Sequence, residues 1–105
     1  MSDTFMITVT GDDQRTLMTV VGYLDIATAE QLRAAVLDQA AATIALDLAG
    51  VDFIDSSGLR ALLETQESVA ADGRSFSITA LSQNAQRLIE MTGLVETLGI
   101  TLGGA

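Results

Sequence analysis

Residues 51–63 read VDFIDSSGLRALL. An apolar extended run gives way here to a run with helical spacing, and the change of period falls on Asp55-Ser56-Ser57-Gly58. Downstream, Leu59, Leu62, Leu63, Gln66, Val69 and Ala70 fit one face of a helix that starts near Ser57 and stops at Asp72-Gly73, after which Phe76 and Ile78 mark a strand. Upstream, Ile44, Leu46 and Leu48 alternate as another strand, followed by Ala49-Gly50. A strand, a helix of about four turns and a second strand form a crossover unit, which demands parallel pairing of the two strands.

The flanking segments extend this unit. Phe5, Ile7 and Val9 alternate with Met6, Thr8 and Thr10 up to Gly11-Asp12-Asp13, and the β-branched run 17–23 is placed to pair with them as an antiparallel hairpin across residues 11–15. Gly22-Tyr23-Leu24-Asp25 closes that second strand. Thr28, with Gln31 three residues on, reads as a capping box opening a helix that carries Ala29, Leu32, Val36 and Ala40. Near the end, Ser82 is placed to cap a helix with Ala85, Leu88 and Ile89 inward and Gly93 as its stop; residues 94–102 read as one helical turn or a short edge segment. The expected architecture is α/β: a mixed sheet with helices packed mainly on one face, in a single domain spanning residues 1–105.

Composition narrows the chemistry. The 105 residues are 49% hydrophobic and 18% charged, too apolar for a disordered chain and long enough for one core. There is no Cys and no His, and the five basic residues are all Arg (Arg15, Arg33, Arg60, Arg74, Arg87). The chain therefore lacks a thiolate, the commonest general base and metal ligand, and any lysine for a Schiff base or a P-loop. No catalytic residue, metal site or cofactor is expected. A net charge of −9 repels phosphate backbones and anionic headgroups, so nucleic acid is not an expected partner. The first residues lack the basic start and apolar stretch of a signal peptide, and acids such as Asp38, Asp47 and Asp52 interrupt the apolar runs. A cytoplasmic protein without membrane insertion is expected.

Three readings compete for the two serines. As a helix cap, Ser56 or Ser57 would accept a hydrogen bond from a first-turn N–H, worth about 1 kcal/mol, with Asp55 adding a little at the positive helix end. That reading leaves Gly58 unexplained, because glycine in a first turn costs about 1 kcal/mol relative to alanine unless something approaches the backbone or the turn needs its freedom. As a nucleophile, either serine would need a base that the sequence does not offer, and the G-x-S-x-G elbow is absent. As a phosphoacceptor, a serine at a helix start sits where free N–H groups and the helix dipole favour a phosphate. A phosphate dianion about 6 Å from Asp55 in water-like dielectric is repelled by about 1 kcal/mol, too little to unfold a domain. Burying the same dianion unpaired at a partner surface costs several kcal/mol, so such a switch would act on binding. Among the other polar residues, Asp47 reads as an exposed strand residue or a local hydrogen-bond acceptor; Glu64, Glu67 and Asp72 read as a solvated helix face.

Gly22-x-Leu24-Asp25, Asp47-Leu48, Phe53-Ile54-Asp55-Ser56-Ser57-Gly58-Leu59 and Thr92-Gly93-Leu94, in this order, resemble the STAS domain of bacterial anti-sigma factor antagonists. The resemblance covers nearly the whole chain, and Asp-Ser-Ser-Gly-Leu is its specific part. It implies a STAS-like sheet and a binding module with no enzymatic activity, which controls transcription by partner switching. The free antagonist would bind an anti-sigma factor that is also a serine kinase, releasing the sigma factor; the kinase would phosphorylate Ser56 with ATP, and a PP2C-type phosphatase would reverse this. Partner contacts implied are Asp25, Asp55, Ser57, Gly58 and Leu59. Two departures stand out: Tyr23 where the family often has an acid, and Arg60 where it often has a small residue, which puts a long cation at the interface and makes Arg60 a candidate for partner choice. The alternative implied by the same domain is an accessory subunit of a lipid-transport ATPase, or part of a sensory scaffold, docking through this turn without phosphorylation.

Overall fold

A computed structural model describes residues 5–93. Seven elements follow one another: β1 (Met6–Gly11), β2 (Arg15–Leu24), α1 (Ile26–Leu37), β3 (Thr43–Ile54), α2 (Ser56–Ala71), β4 (Ser75–Leu81) and α3 (Gln83–Thr92). The sheet order is β1-β2-β3-β4, with β1 antiparallel to β2 and the remaining pairs parallel. The hairpin and the β3–α2–β4 crossover thus match the expectation, and α1 supplies a second crossover between β2 and β3. The hairpin is tied by Asp12, whose Oδ1 accepts the N–H groups of Gln14 and Arg15 at 2.9 and 3.1 Å. These two hydrogen bonds hold the Asp12 carboxyl below its ordinary range, that from Arg15 contributing most.

One side of the sheet is buried and the other open. Met18, Val20 and Leu24 of β2, Ile44, Leu46, Leu48 and Val51 of β3 and Ile78 of β4 join Leu32 and Val36 of α1, Leu62 and Val69 of α2 and Ala85 and Ile89 of α3 in one core cluster. Fully burying each of the large aliphatic side chains contributes roughly 1.5–3 kcal/mol. Leu17, Val21 and Tyr23, which alternate with the buried residues of β2, remain exposed. The helices therefore pack mainly on one face.

Three local readings are corrected. First, β3 does not end at Leu48: a register irregularity lets it continue past Ala49-Gly50, so that Gly22 pairs with Val51 and Leu24 with Ile54. Gly50 passes close to β2, where an added Cβ would lie 3.0 Å from Val21 Cγ2. Second, the inward face of α2 consists of Gly58, Ala61, Leu62, Thr65 and Val69, with Leu59 and Leu63 half-buried beside it and Ala70 exposed. The helix start lies against β2 at Gly58, and α2 as a whole packs mostly alongside α1. Third, Ala40 lies beyond α1 and is exposed, whereas Ala29, Leu32 and Val36 are buried as expected. Asp47 does act as a local acceptor, from the Ala49 N–H at 2.9 Å. α3 starts and stops where the sequence indicates: Ser82 Oγ accepts from the Ala85 N–H at 3.1 Å and donates to the Val51 carbonyl at 2.6 Å, and Gly93 closes the helix in the left-handed region at φ 75°. The segment 94–102, including Leu94, lies outside the described residues.

Candidate functional site

The long β3 delivers its end level with the end of β2, and each strand hands over to a helix through an aspartate. Asp25 is the N-cap of α1. Its Oδ1 accepts from the N–H groups of Ala27 and Thr28 at 3.0 and 3.2 Å, while Thr28 Oγ1 accepts the Asp25 N–H at 3.0 Å and donates to the Tyr23 carbonyl at 2.7 Å. The capping box is thus Asp25 with Thr28, three residues earlier than the Thr28–Gln31 pair expected. Gln31 instead donates to the Ala27 carbonyl. The aspartate sits at the bend itself and, as a carboxylate, is the stronger acceptor, which leaves the threonine as its partner.

Asp55 is the N-cap of α2, in extended conformation with φ −98° and ψ −174°. Its Oδ1 accepts the Gly58 N–H at 2.9 Å, and its own N–H donates to the Leu24 carbonyl at 3.1 Å, joining the two handover turns. This corrects the assignment of Ser56 or Ser57 as the cap: both lie inside the first turn of α2. With the cap filled by the carboxylate, neither serine hydroxyl forms a hydrogen bond within the described residues. Ser56 is exposed and Ser57 half-buried.

Gly58 is buried, and what approaches its backbone is β2. A Cβ at this position would stand 2.3 Å from the Leu24 carbonyl oxygen and 2.9 Å from Leu24 Cγ. The glycine therefore seats the serine turn against the end of β2, next to Asp25. Leu59 is half-buried and Arg60 exposed, and Arg60 has no ion pair or side-chain hydrogen bond among the described residues.

Beside Ser56 opens an apolar hollow of about 200 Å³, lined by Ile54, Asp55, Ser56, Leu59, Leu88, Ile89 and Thr92. A second, of about 270 Å³ and also touching Leu88, is bordered by Phe53, Arg87 and Met91. The α3 contribution was missed in the sequence, where Leu88 reads as core together with Ala85 and Ile89. It is 39% exposed, because the inward stripe of α3 runs through Ala85 and Ile89 alone. At about 200 Å³ the hollow beside Ser56 is smaller than the roughly 300–1,000 Å³ of pockets that enclose drug-sized ligands. No group of three or more metal-ligating side chains exists among the described residues, and no described helix is long and apolar enough to cross a membrane.

Compared with known protein families, the chain matches the STAS domain over residues 6–102. It belongs to the STAS domain family. Among solved structures, an anti-sigma factor antagonist from Mycobacterium paratuberculosis is similar at 28% identity and TM-score 0.79, covering 93% of this chain and 86% of that one. SpoIIAA, an anti-sigma factor antagonist, shares the fold in its unphosphorylated form (22% identity, TM-score 0.73, 93% and 86% coverage). The Bacillus protein in its phosphorylated form does so as well (22%, TM-score 0.68, 93% and 89%). The same fold occurs within the murine anion transporter Slc26a9, at 20% identity and TM-score 0.72, where the match covers 87% of this chain and 16% of the transporter. The mixed sheet with three helices described above is the STAS fold.

Proposed function

We propose that this STAS domain is an anti-sigma factor antagonist that works by partner switching. In its unmodified form it binds an anti-sigma factor with serine kinase activity, which frees the sigma factor. The kinase then transfers the γ-phosphoryl group of ATP to Ser56: the serine oxygen forms the new bond to phosphorus, ADP leaves, and the serine proton passes to solvent or to a base of the kinase. A PP2C-type phosphatase restores the hydroxyl by hydrolysis. The protein itself is a substrate and ligand in this cycle, acting in the cytoplasm, and supplies no catalytic group.

The observation that carries the reading is the state of Ser56, an exposed serine without a side-chain hydrogen bond among the described residues, at the start of α2 and on the rim of an apolar hollow. A kinase can reach it without unfolding anything. Once formed, a phosphate carrying about 1.5 to 2 negative charges would occupy the edge of the surface on which the partner docks. Leu59 and Leu88 supply apolar contact. Asp25 and Asp55 each use only Oδ1 in capping, which leaves Oδ2 available to a partner. Ser57 and Gly58 hold the shape of the turn, and Arg60 bears on partner choice.

Incubation with the cognate kinase and labelled ATP tests this directly. Ser57→Ala is expected to be labelled and Ser56→Ala to be silent; equal labelling of the two overturns the acceptor assignment. Stable co-purification with a transporter ATPase or a scaffold, without phosphate turnover, would replace the switch with constitutive docking.

A further inference from the structure

We infer that Arg60 is the intramolecular partner of the phosphate on Ser56, so that phosphorylation engages the single basic residue of α2, which has no ion pair among the described residues, while adding the anion. The inference rests on Ser56 being the acceptor. Ser56 and Arg60 are four residues apart on one helix, a spacing that puts two side chains on the same face one turn apart. The order is the favourable one, with the anion toward the N-terminus and the cation toward the C-terminus. Long helical side chains lean back toward the N-terminus, a direction that brings the guanidinium of Arg60 within reach of the turn that carries Ser56. Both residues are exposed, and nothing has to be displaced for them to meet.

Competition for Arg60 is weak. Its only acid one turn further along the helix is Glu64, in the less favourable order, and no ion pair forms between them. The remaining basic residue of α2's surroundings with a defined place near the site, Arg87, lines the second hollow on α3. Of the other arginines, Arg33 pairs with Glu30 and Arg74 with Asp72, both at 3.0 Å. A phosphate offers a guanidinium two parallel hydrogen bonds and carries about 1.5 to 2 negative charges, more than the single charge of the Glu64 carboxylate. Before modification the docking surface presents a guanidinium with no ion pair among the described residues, suited to a carboxylate of the partner. After modification the same guanidinium is engaged within the molecule. The switch would then have two components, a gained anion and a withdrawn cation.

The test uses the full chain with phosphoserine installed at position 56 during translation, so that no kinase is required. The second ionisation of the phosphate is followed by phosphorus NMR in this protein and in its R60Q and R87Q counterparts, with circular dichroism confirming the same fold. Asp25, Asp55 and Glu64 are common to all three, so differences between them report the arginines. R60Q is expected to raise the midpoint by about 0.15 to 0.4 of a pH unit, the size of an i,i+4 ion pair, with a smaller change for R87Q. An unchanged midpoint in R60Q, or a shift in R87Q as large as that in R60Q, overturns the inference. Failure of a kinase to label Ser56 would overturn the proposed function while leaving this titration as it stands.

Discussion

The ends of β2 and β3 present the same device twice. Each parallel strand stops at an aspartate whose Oδ1 caps the helix that follows, and the two turns are joined by the Asp55 N–H on the Leu24 carbonyl. At the start of α1 the hydroxyl in the first turn is enclosed: Thr28 accepts from Asp25 and donates to Tyr23. At the start of α2 the first-turn hydroxyls have no hydrogen bond among the described residues, and a glycine sits where the backbone meets β2. Two starts of equal architecture have thus been used differently. One is closed by its own side chains, and the other is held in place from below by Gly58 while its outer surface stays chemically open.

Substitutions can break this contrast, and Gly58→Ala is expected to do so most strongly. Its methyl group would collide with the Leu24 carbonyl that also accepts the Asp55 N–H, so both turns must shift. A net loss of about 1–3 kcal/mol is expected after the gain in helix propensity, measured by urea unfolding. Asp25→Ala should come next, at about 1–2 kcal/mol, because it removes an acceptor used by two N–H groups and breaks a reciprocal box. Asp55→Ala should cost less, about 0.5–1 kcal/mol, since one N–H loses its side-chain partner. If Asp55→Ala costs as much as Asp25→Ala, the α2 start is as closed as the α1 start and the contrast fails.

The opposite end of β2 gives a smaller, pH-dependent effect. The Asp12 carboxyl is depressed by hydrogen bonds from Arg15 and Gln14, so its contribution is present above the ordinary aspartate range and is lost as pH falls through the lowered folded value. Asp12→Asn should therefore differ from the parent in thermal stability at neutral pH and converge with it in strong acid. At Thr65, which is fully buried with an Oγ1 that has no hydrogen-bond partner among the described residues, valine is expected to be neutral or to stabilise by up to about 1 kcal/mol. A loss on that substitution would reveal a hydrogen bond hidden in the α2 interface.

What could be read from the sequence was whatever is encoded locally. The change from a two-residue to a helical period at residues 51–63, the Gly11-Asp12-Asp13 turn, Ser82 before α3 and Gly93 after it each carry their own chemistry, and each was placed correctly. The caps of α1 and α2 were misassigned because a hydroxyl and a carboxylate stood close together and only the folded turn decides between them. The inward face of α2 was misread because large apolar residues were taken as the core. The close approach of β2 selects Gly58, and Ala61 and Thr65 share the inward face with it. The hollow was invisible for a different reason: Leu59 on α2 and Leu88 on α3 come to line one hollow only in the folded chain.

The central claim is that modification of Ser56 changes binding and leaves the fold intact. The most direct measurement is the affinity of the cognate anti-sigma kinase for the unmodified chain and for the chain carrying phosphoserine at position 56, with amide NMR spectra recorded on both free proteins. The account predicts a loss of roughly 100-fold or more, the equivalent of about 3 kcal/mol, with spectral changes confined to the starts of α1 and α2 and the facing surface of α3. Equal affinity, or a phosphorylated chain whose spectrum reports unfolding, would contradict it.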